Sequence, residues 1–242
     1  MVKGKAEAKE QQGELGEFLK GIDPVDKHRS MAEVVYKLLK NAIINGDLKP
    51  GQRLVEQKLS DKMQVSRVPV REAIKRLEQY GFVTRLPVRG IIVKKISEAD
   101  VKEAFGIRAA LESYAAAQAC EHLSEEMIEV LERSIEASRK ALKRGDMAKV
   151  LELNNQFHEM IYKAAQSEML SKLINTFTDY LARYRKPLLS SKTNVAVSIE
   201  GHEAMVEAMR RGDRENVERI VKAHILQGRS FILKEMGEGH LE

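Results

Sequence analysis

The chain has 242 residues, enough for two cores of ordinary size at roughly 100 to 150 residues each. Its 43% apolar content is broken up everywhere by charge. No run approaches the ~18 apolar residues of a membrane span, and the charged N-terminus lacks a signal-peptide core, so a cytoplasmic protein with no membrane partner is expected. The net charge of +5 is unevenly placed: residues 28–96 carry fifteen Lys and Arg against six Asp and Glu, whereas residues 97–242 carry twenty-one against twenty-four. A basic first part beside a slightly acidic second part points to one domain that meets a polyanion and another with a different task.

Residues 1–27 are polar and show little sustained hydrophobic period, which reads as a mobile arm with some helix near Leu15 to Leu19. A first helix opens near Ser30, places Val34, Val35, Leu38, Leu39 and Ile43 on one stripe, and stops at Asn45-Gly46 before the turn Lys49-Pro50-Gly51. A short helix follows at Glu56 to Met63. The next opens at Ser66 as N-cap, tolerates Pro69 in its first turn, and buries Val70, Ala73, Ile74 and Leu77. Residues 82–86 and 91–93 are β-branched runs around Pro87-Val88-Arg89-Gly90, a two-stranded hairpin. Three helices and a hairpin in this order make a winged helix-turn-helix over residues 28–96.

From Ser97 onward all periodicity is helical. Ser97 with Asp100 reads as a capping box, Ser124 as a cap, and Arg144-Gly145-Asp146 and Arg211-Gly212-Asp213 as a helix end followed by a helix start. Helices are expected at 98–121, 124–144, 147–166, 168–187, 198–211 and 214–235, an all-α antiparallel bundle of about six helices over residues 97–242. The fold class is therefore mainly α. Cys120, the one cysteine, lies among Ala115, Ala116, Ala117 and Ala119 and reads as a small packing residue.

Two groups of residues carry chemistry. On the helix that starts at Ser66, Arg67, Arg71 and Lys75 recur at i, i+4 and i+8 opposite the apolar stripe, as a recognition helix entering a major groove requires. A solvated face with helical charge pairing would show the same spacing. In the second half, three of the six histidines fall on apolar stripes: His158 beside Phe157 and Ile161, His202 with Ile199 and Met205, and His224 with Val217 and Val221. One inward histidine is usually a hydrogen-bonded core residue. Three on separate helices would each need a partner, and a shared divalent cation satisfies all of them, with Asn154 one turn before His158 as a fourth donor. Arg108 also points inward, with Glu112 one turn on as a possible intrahelical partner.

The string Leu48-Lys49-Pro50-Gly51-Gln52-Arg53-Leu54-Val55-Glu56, with Leu59 and Val65-Ser66-Arg67-Val68-Pro69-Val70-Arg71-Glu72-Ala73-Ile74, closely resembles the N-terminal domain of the GntR family of bacterial regulators over residues 31–96. The resemblance implies a base-reading or groove-phosphate role for Arg67 and Arg71, a phosphate contact for Ser66, and a wing tip at Arg89 and Gly90. Val68 stands where threonine or glycine is frequent, Gln64 replaces the usual turn glycine, and Gln57 takes a place where some FadR-like members have an arginine that touches DNA. The second half resembles the FCD domain of the FadR-like subfamily, in which an aspartate and three histidines surround a metal. Here the set is Asn154, His158, His202 and His224. The implied cofactor is a divalent metal, zinc first and nickel next, and Arg108 stands where the family meets an effector carboxylate.

The expected function is a transcription regulator that binds a palindromic operator in double-stranded DNA as a homodimer and is controlled by a small carboxylate effector in an apolar, metal-containing cavity. A metal sensor and a zinc-dependent hydrolase are the alternatives. The hydrolase would need a general base, for which only Glu112 and Glu203 offer themselves, without a motif.

Overall fold

The computed structural model describes residues 30–182 and 191–238. The expected mobile arm, His28, His240 and the end of the helix expected at 168–187 lie partly or wholly outside the described residues. The chain divides into two compact units, one up to Lys95 and one from Ile96.

In the first unit, α1 (Met31–Asn45) is capped by Ser30, whose side chain accepts from the Glu33 backbone N–H, and it ends at Gly46. Val35, Leu39, Ala42 and Ile43 form its buried stripe. A two-residue strand, β1 (Arg53–Leu54), precedes α2 (Glu56–Met63) and α3 (Arg67–Gln79). The buried face of α3 is Val70, Ala73, Ile74 and Leu77, packed with Leu39, Leu48, Phe82 and Val93. Burial of each leucine-sized side chain here contributes about 1.5–3 kcal/mol.

The wing differs from expectation. Strands β2 (Val83–Leu86) and β3 (Gly90–Val93) pair in register from Val83 opposite Val93 to Leu86 opposite Gly90. The sheet nevertheless has three strands in the order β1-β3-β2, because Arg53 and Leu54 pair with Ile92 and Ile91. Two residues are too few to show an alternating pattern in sequence.

Between α2 and α3 the chain turns through Gln64, a non-glycine residue at φ +52° whose backbone N–H bonds to the Ser60 carbonyl. Arg76 ties α3 back to α1: its guanidinium carbon lies 4.0 Å from the Tyr36 ring centroid, and it pairs with Glu33. These contacts hold α3 against α1.

The second unit is a helical bundle of α4 (Glu98–Ala119), α5 (Glu125–Arg144), α6 (Met147–Ala164), α7 (Glu168–Tyr180), α8 (Lys192–Arg210) and α9 (Arg214–Gly237). The capping box at Ser97 and Asp100 forms, Ser124 caps α5, and Asp146 and Asp213 cap α6 and α9 immediately after a glycine. Helix α8 starts six residues before the expected 198, capped by Ser191, and α7 ends at Tyr180 within the described residues. Cys120 is half-buried against the core, and burial pushes its thiol pKa up. Its Sγ lies 3.4 Å from the Ala116 carbonyl oxygen, an ordinary packing role.

Candidate nucleic-acid interface and metal centre

The two groups of candidate residues lie in separate units. In the first unit, Ser66, Arg67, Val68, Arg71 and Lys75 are all exposed along one side of α3. Ser66 occupies the N-cap position but makes no capping bond, so its hydroxyl stays available at the helix N-terminus, where backbone N–H groups favour a phosphate. Arg71 Nε lies 3.3 Å from Glu56 Oε2, an exposed pair to α2 rather than along its own helix. Val68 is 61% exposed on the same side, an apolar group suited to a thymine methyl. Gln57, on α2, donates to Asp61 at 2.7 Å.

At the wing, Arg89 is exposed beside Gly90, whose φ of +72° is the left-handed region that favours glycine. The space a Gly90 side chain would enter is bordered by Arg53 Nε at 3.6 Å. Arg53 is thus a wing cation that periodicity did not single out, because strand β1 that carries it leaves no sequence signal.

In the second unit, α6, α8 and α9 bring His158, His202 and His224 together, with one ring nitrogen of each within 4.8 Å of the others. His202 is buried and stacks on Phe157 at a centroid distance of 4.1 Å. The Nε2 atoms of His158 and His202 are 3.2 Å apart. One hydrogen bond between them would leave the third ring unserved, and the buried His224 Nδ1 has no hydrogen-bond partner among the described residues. Burial, and then its neighbour His224, hold His202 well below the usual histidine pKa. Burial, and then Arg108, bring His224 down to about 4. Both rings are therefore neutral at pH 7, the form that ligates metals.

The donors fit a divalent cation. Two nitrogens on one tetrahedral zinc lie about 3.3 Å apart, close to the observed His158–His202 separation. Asn154, one turn before His158 on α6, borders the same cavity.

That cavity has a volume of about 230 Å³, and His158 and His224 form part of its wall. Arg108 also borders it and is buried, with Nε 2.6 Å from Glu112 Oε1 and its guanidinium carbon 5.1 Å from the Phe105 ring centroid. Tyr162 donates to the other Glu112 oxygen. Burial would lower the Arg108 pKa, but the Glu112 carboxylate and Tyr162 outweigh it and raise it. The intrahelical pair weighed from the sequence is thus present, and it neutralises Arg108 internally.

The expected apolar lining is present but is not alone. Phe105, Ile225 and Phe231 are flanked by Asn155, Asn175, Thr178, Asn194, Ser198 and Gln227. Helical spacing carried part of this signal: Asn194, Ser198 and His202 recur at i, i+4 and i+8 on α8, and Gln227 follows His224 by three residues on α9. Their convergence with Asn175 and Thr178 of α7 arises only from packing.

The family model described as bacterial regulatory proteins, gntR family, matches residues 31–93, and the FCD domain model matches residues 103–227. The transcriptional regulator LutR of Bacillus subtilis is 30% identical over 210 residues, spanning 76% of this chain and 92% of its own length. The transcriptional repressor RspR of Escherichia coli is 28% identical over 191 residues, spanning 79% and 84%. Among solved structures, McbR/YncC of Escherichia coli is similar with a TM-score of 0.69 at 24% identity, over 86% of this chain and 99% of that one, a likeness of fold.

Proposed function

The chain belongs to the GntR family of bacterial regulatory proteins and carries an FCD domain, a transcription regulator rather than an enzyme. From that premise we propose that a small organic acid, bound in the metal-containing cavity of the helical bundle, sets its affinity for a palindromic operator. The observation that carries this reading is the meeting of three imidazoles from α6, α8 and α9, two of them on the wall of a cavity that Arg108 also borders.

His158, His202 and His224 would hold the cation, with the Asn154 side-chain oxygen as a further donor. Zinc suits imidazole-rich ligation best, with nickel next. When bound, the cation supplies a positive charge that neutral ligands do not cancel. Arg108 and Glu112 offset one another, so the cavity around the triad would favour an anion. Phe157 keeps His202 in place by stacking, and the buried Glu112 carboxylate fixes the orientation of Arg108.

At the other end of the chain, Arg67, Arg71 and Lys75 would read and hold the duplex, and Arg53 and Arg89 would follow its backbone from the wing. One recognition helix covers a half-site, so two copies on a two-fold operator form the working unit. The acid acts by binding one spacing of the two reading heads better than another, which shifts operator affinity by the difference.

Metal analysis and native mass spectrometry of the purified protein test the reading. One divalent ion per chain is expected, lost together with thermal stability in His158→Ala, His202→Ala and His224→Ala. Unchanged metal content in all three variants would overturn it. Comparison of apo and metal-loaded protein on the operator without any acid separates the effector reading from metal sensing, since sensing requires that the metal alone change the affinity.

A further inference from the structure

Val68 does no packing in the first unit. It is 61% exposed in the first turn of α3, and it belongs neither to the buried apolar cluster nor to the partly buried Ile44, Val65 and Tyr80 that pack against it. At roughly 100° per residue it points directly away from Val70, Ala73, Ile74 and Leu77, on the side shared with Arg71 one turn on and Lys75 two turns on. A β-branched residue at an exposed helical position also costs helix stability relative to alanine.

A lone exposed apolar residue is ordinary on a protein surface, so the position of Val68 carries more than its exposure. The N-terminal turn of a recognition helix is the part that reaches base edges, and there Arg67 and Arg71 frame Val68, with Ser66 at the cap. An isopropyl group has no donor or acceptor. Against guanine N7 and O6, or the amino group of adenine or cytosine, it would bury a polar edge unpaired. The apolar feature of the major groove is the methyl group at C5 of thymine. The same methyl stands at the same place on 5-methylcytosine.

We infer that Val68 reads a 5-methylpyrimidine in each half-site of the operator, so that affinity depends on that methyl group whether thymine or 5-methylcytosine carries it. The inference rests on α3 entering the major groove and adds the class of base that one of its positions selects. The stiff χ1 of valine holds both methyl groups in place before DNA arrives. Arg67 and Arg71 attract the duplex, and Val68 discriminates.

The test is fluorescence anisotropy with the full-length protein and a duplex that it selects from a random pool, each thymine being replaced in turn by deoxyuridine in both half-sites. One position is expected at which loss of the methyl weakens binding roughly fourfold per half-site, the worth of one buried methyl group. Cytosine paired with guanine at that position should bind more weakly still, and 5-methylcytosine should recover about the same factor. In Val68→Ser, an exposed change whose intact fold a thermal melt verifies, uracil and thymine should bind alike at that position. Uracil tolerated at every position would overturn the inference, as would a methyl dependence that survives in Val68→Ser or 5-methylcytosine that binds no better than cytosine. Arg67→Ala in the same assay separates the inference from its premise. If it loses operator preference while wild type tolerates uracil, the methyl contact alone falls; if its preference is unchanged, groove reading falls and the inference with it.

Discussion

Gly201 of α8 presents bare backbone to the His224 ring of α9: a Cβ on Gly201 would lie 2.7 Å from His224 Nδ1, closer than real Cβ atoms come. The ring has little room to yield, since its centroid is 4.9 Å from that of His202 and 5.4 Å from that of His158.

Gly201→Ala should therefore separate helix propensity from metal binding. Alanine in a helix interior is worth about 1 kcal/mol over glycine, and Gly106→Ala in α4, where a Cβ meets nothing within 4 Å, should show that gain. Gly201→Ala should instead lower zinc affinity about tenfold or more in competition with a chelator. In a His224→Ala background the same change should become stabilising. Wild-type zinc affinity in the single variant would show that the close approach positions nothing.

The Glu33–Arg76 pair makes a pH-dependent contribution to the reading head. Burial alone would raise the Glu33 pKa, but Arg76, with help from Lys37, holds it below the ordinary 4.5. A carboxyl depressed in the folded state stabilises above its unfolded pKa and loses that contribution as pH falls through the folded one. Both side chains are partly exposed, so the pair is worth about 0.5 kcal/mol. Thermal melts should find Glu33→Gln less stable than wild type by that amount at pH 7, and the gap should close near pH 3. A gap that persists at pH 3 would assign the loss to packing.

Much of this molecule was legible in its sequence because helix ends are local chemistry. Ser30, Ser124, Asp146 and the Ser97–Asp100 box each announce a helix within four residues, and each cap forms. The start of α8 was hidden because Thr193, Asn194, Val195 and Val197 are weak helix formers that only tertiary packing holds in the helix. Strand β1 is too short to show a period. The three inward histidines stood out against apolar stripes, but the amides of the cavity did not, since half-buried or exposed Asn and Gln on separate helices look like ordinary surface. Their meeting is a property of the bundle and not of any one segment.

On the DNA side, Arg67→Ala and Arg71→Ala should each cost about 1–3 kcal/mol of operator binding and relax base preference, with the fold retained. Lys75→Ala should weaken operator and random duplex alike. Arg71 requires one control, because its exposed pairing with Glu56 is also lost: Glu56→Gln breaks that pair without removing the guanidinium. If Glu56→Gln loses as much operator specificity as Arg71→Ala, the effect belongs to the α2–α3 contact and not to base reading.

The most direct test of coupling between the two units is fluorescence anisotropy of a labelled duplex, selected from a random pool by the metal-loaded protein, titrated with and without a small organic acid shown by calorimetry to bind the helical bundle. A shift of tenfold or more in operator affinity is predicted, abolished by Arg108→Ala and by chelation. An operator affinity that stays the same when the cavity is saturated would contradict the account.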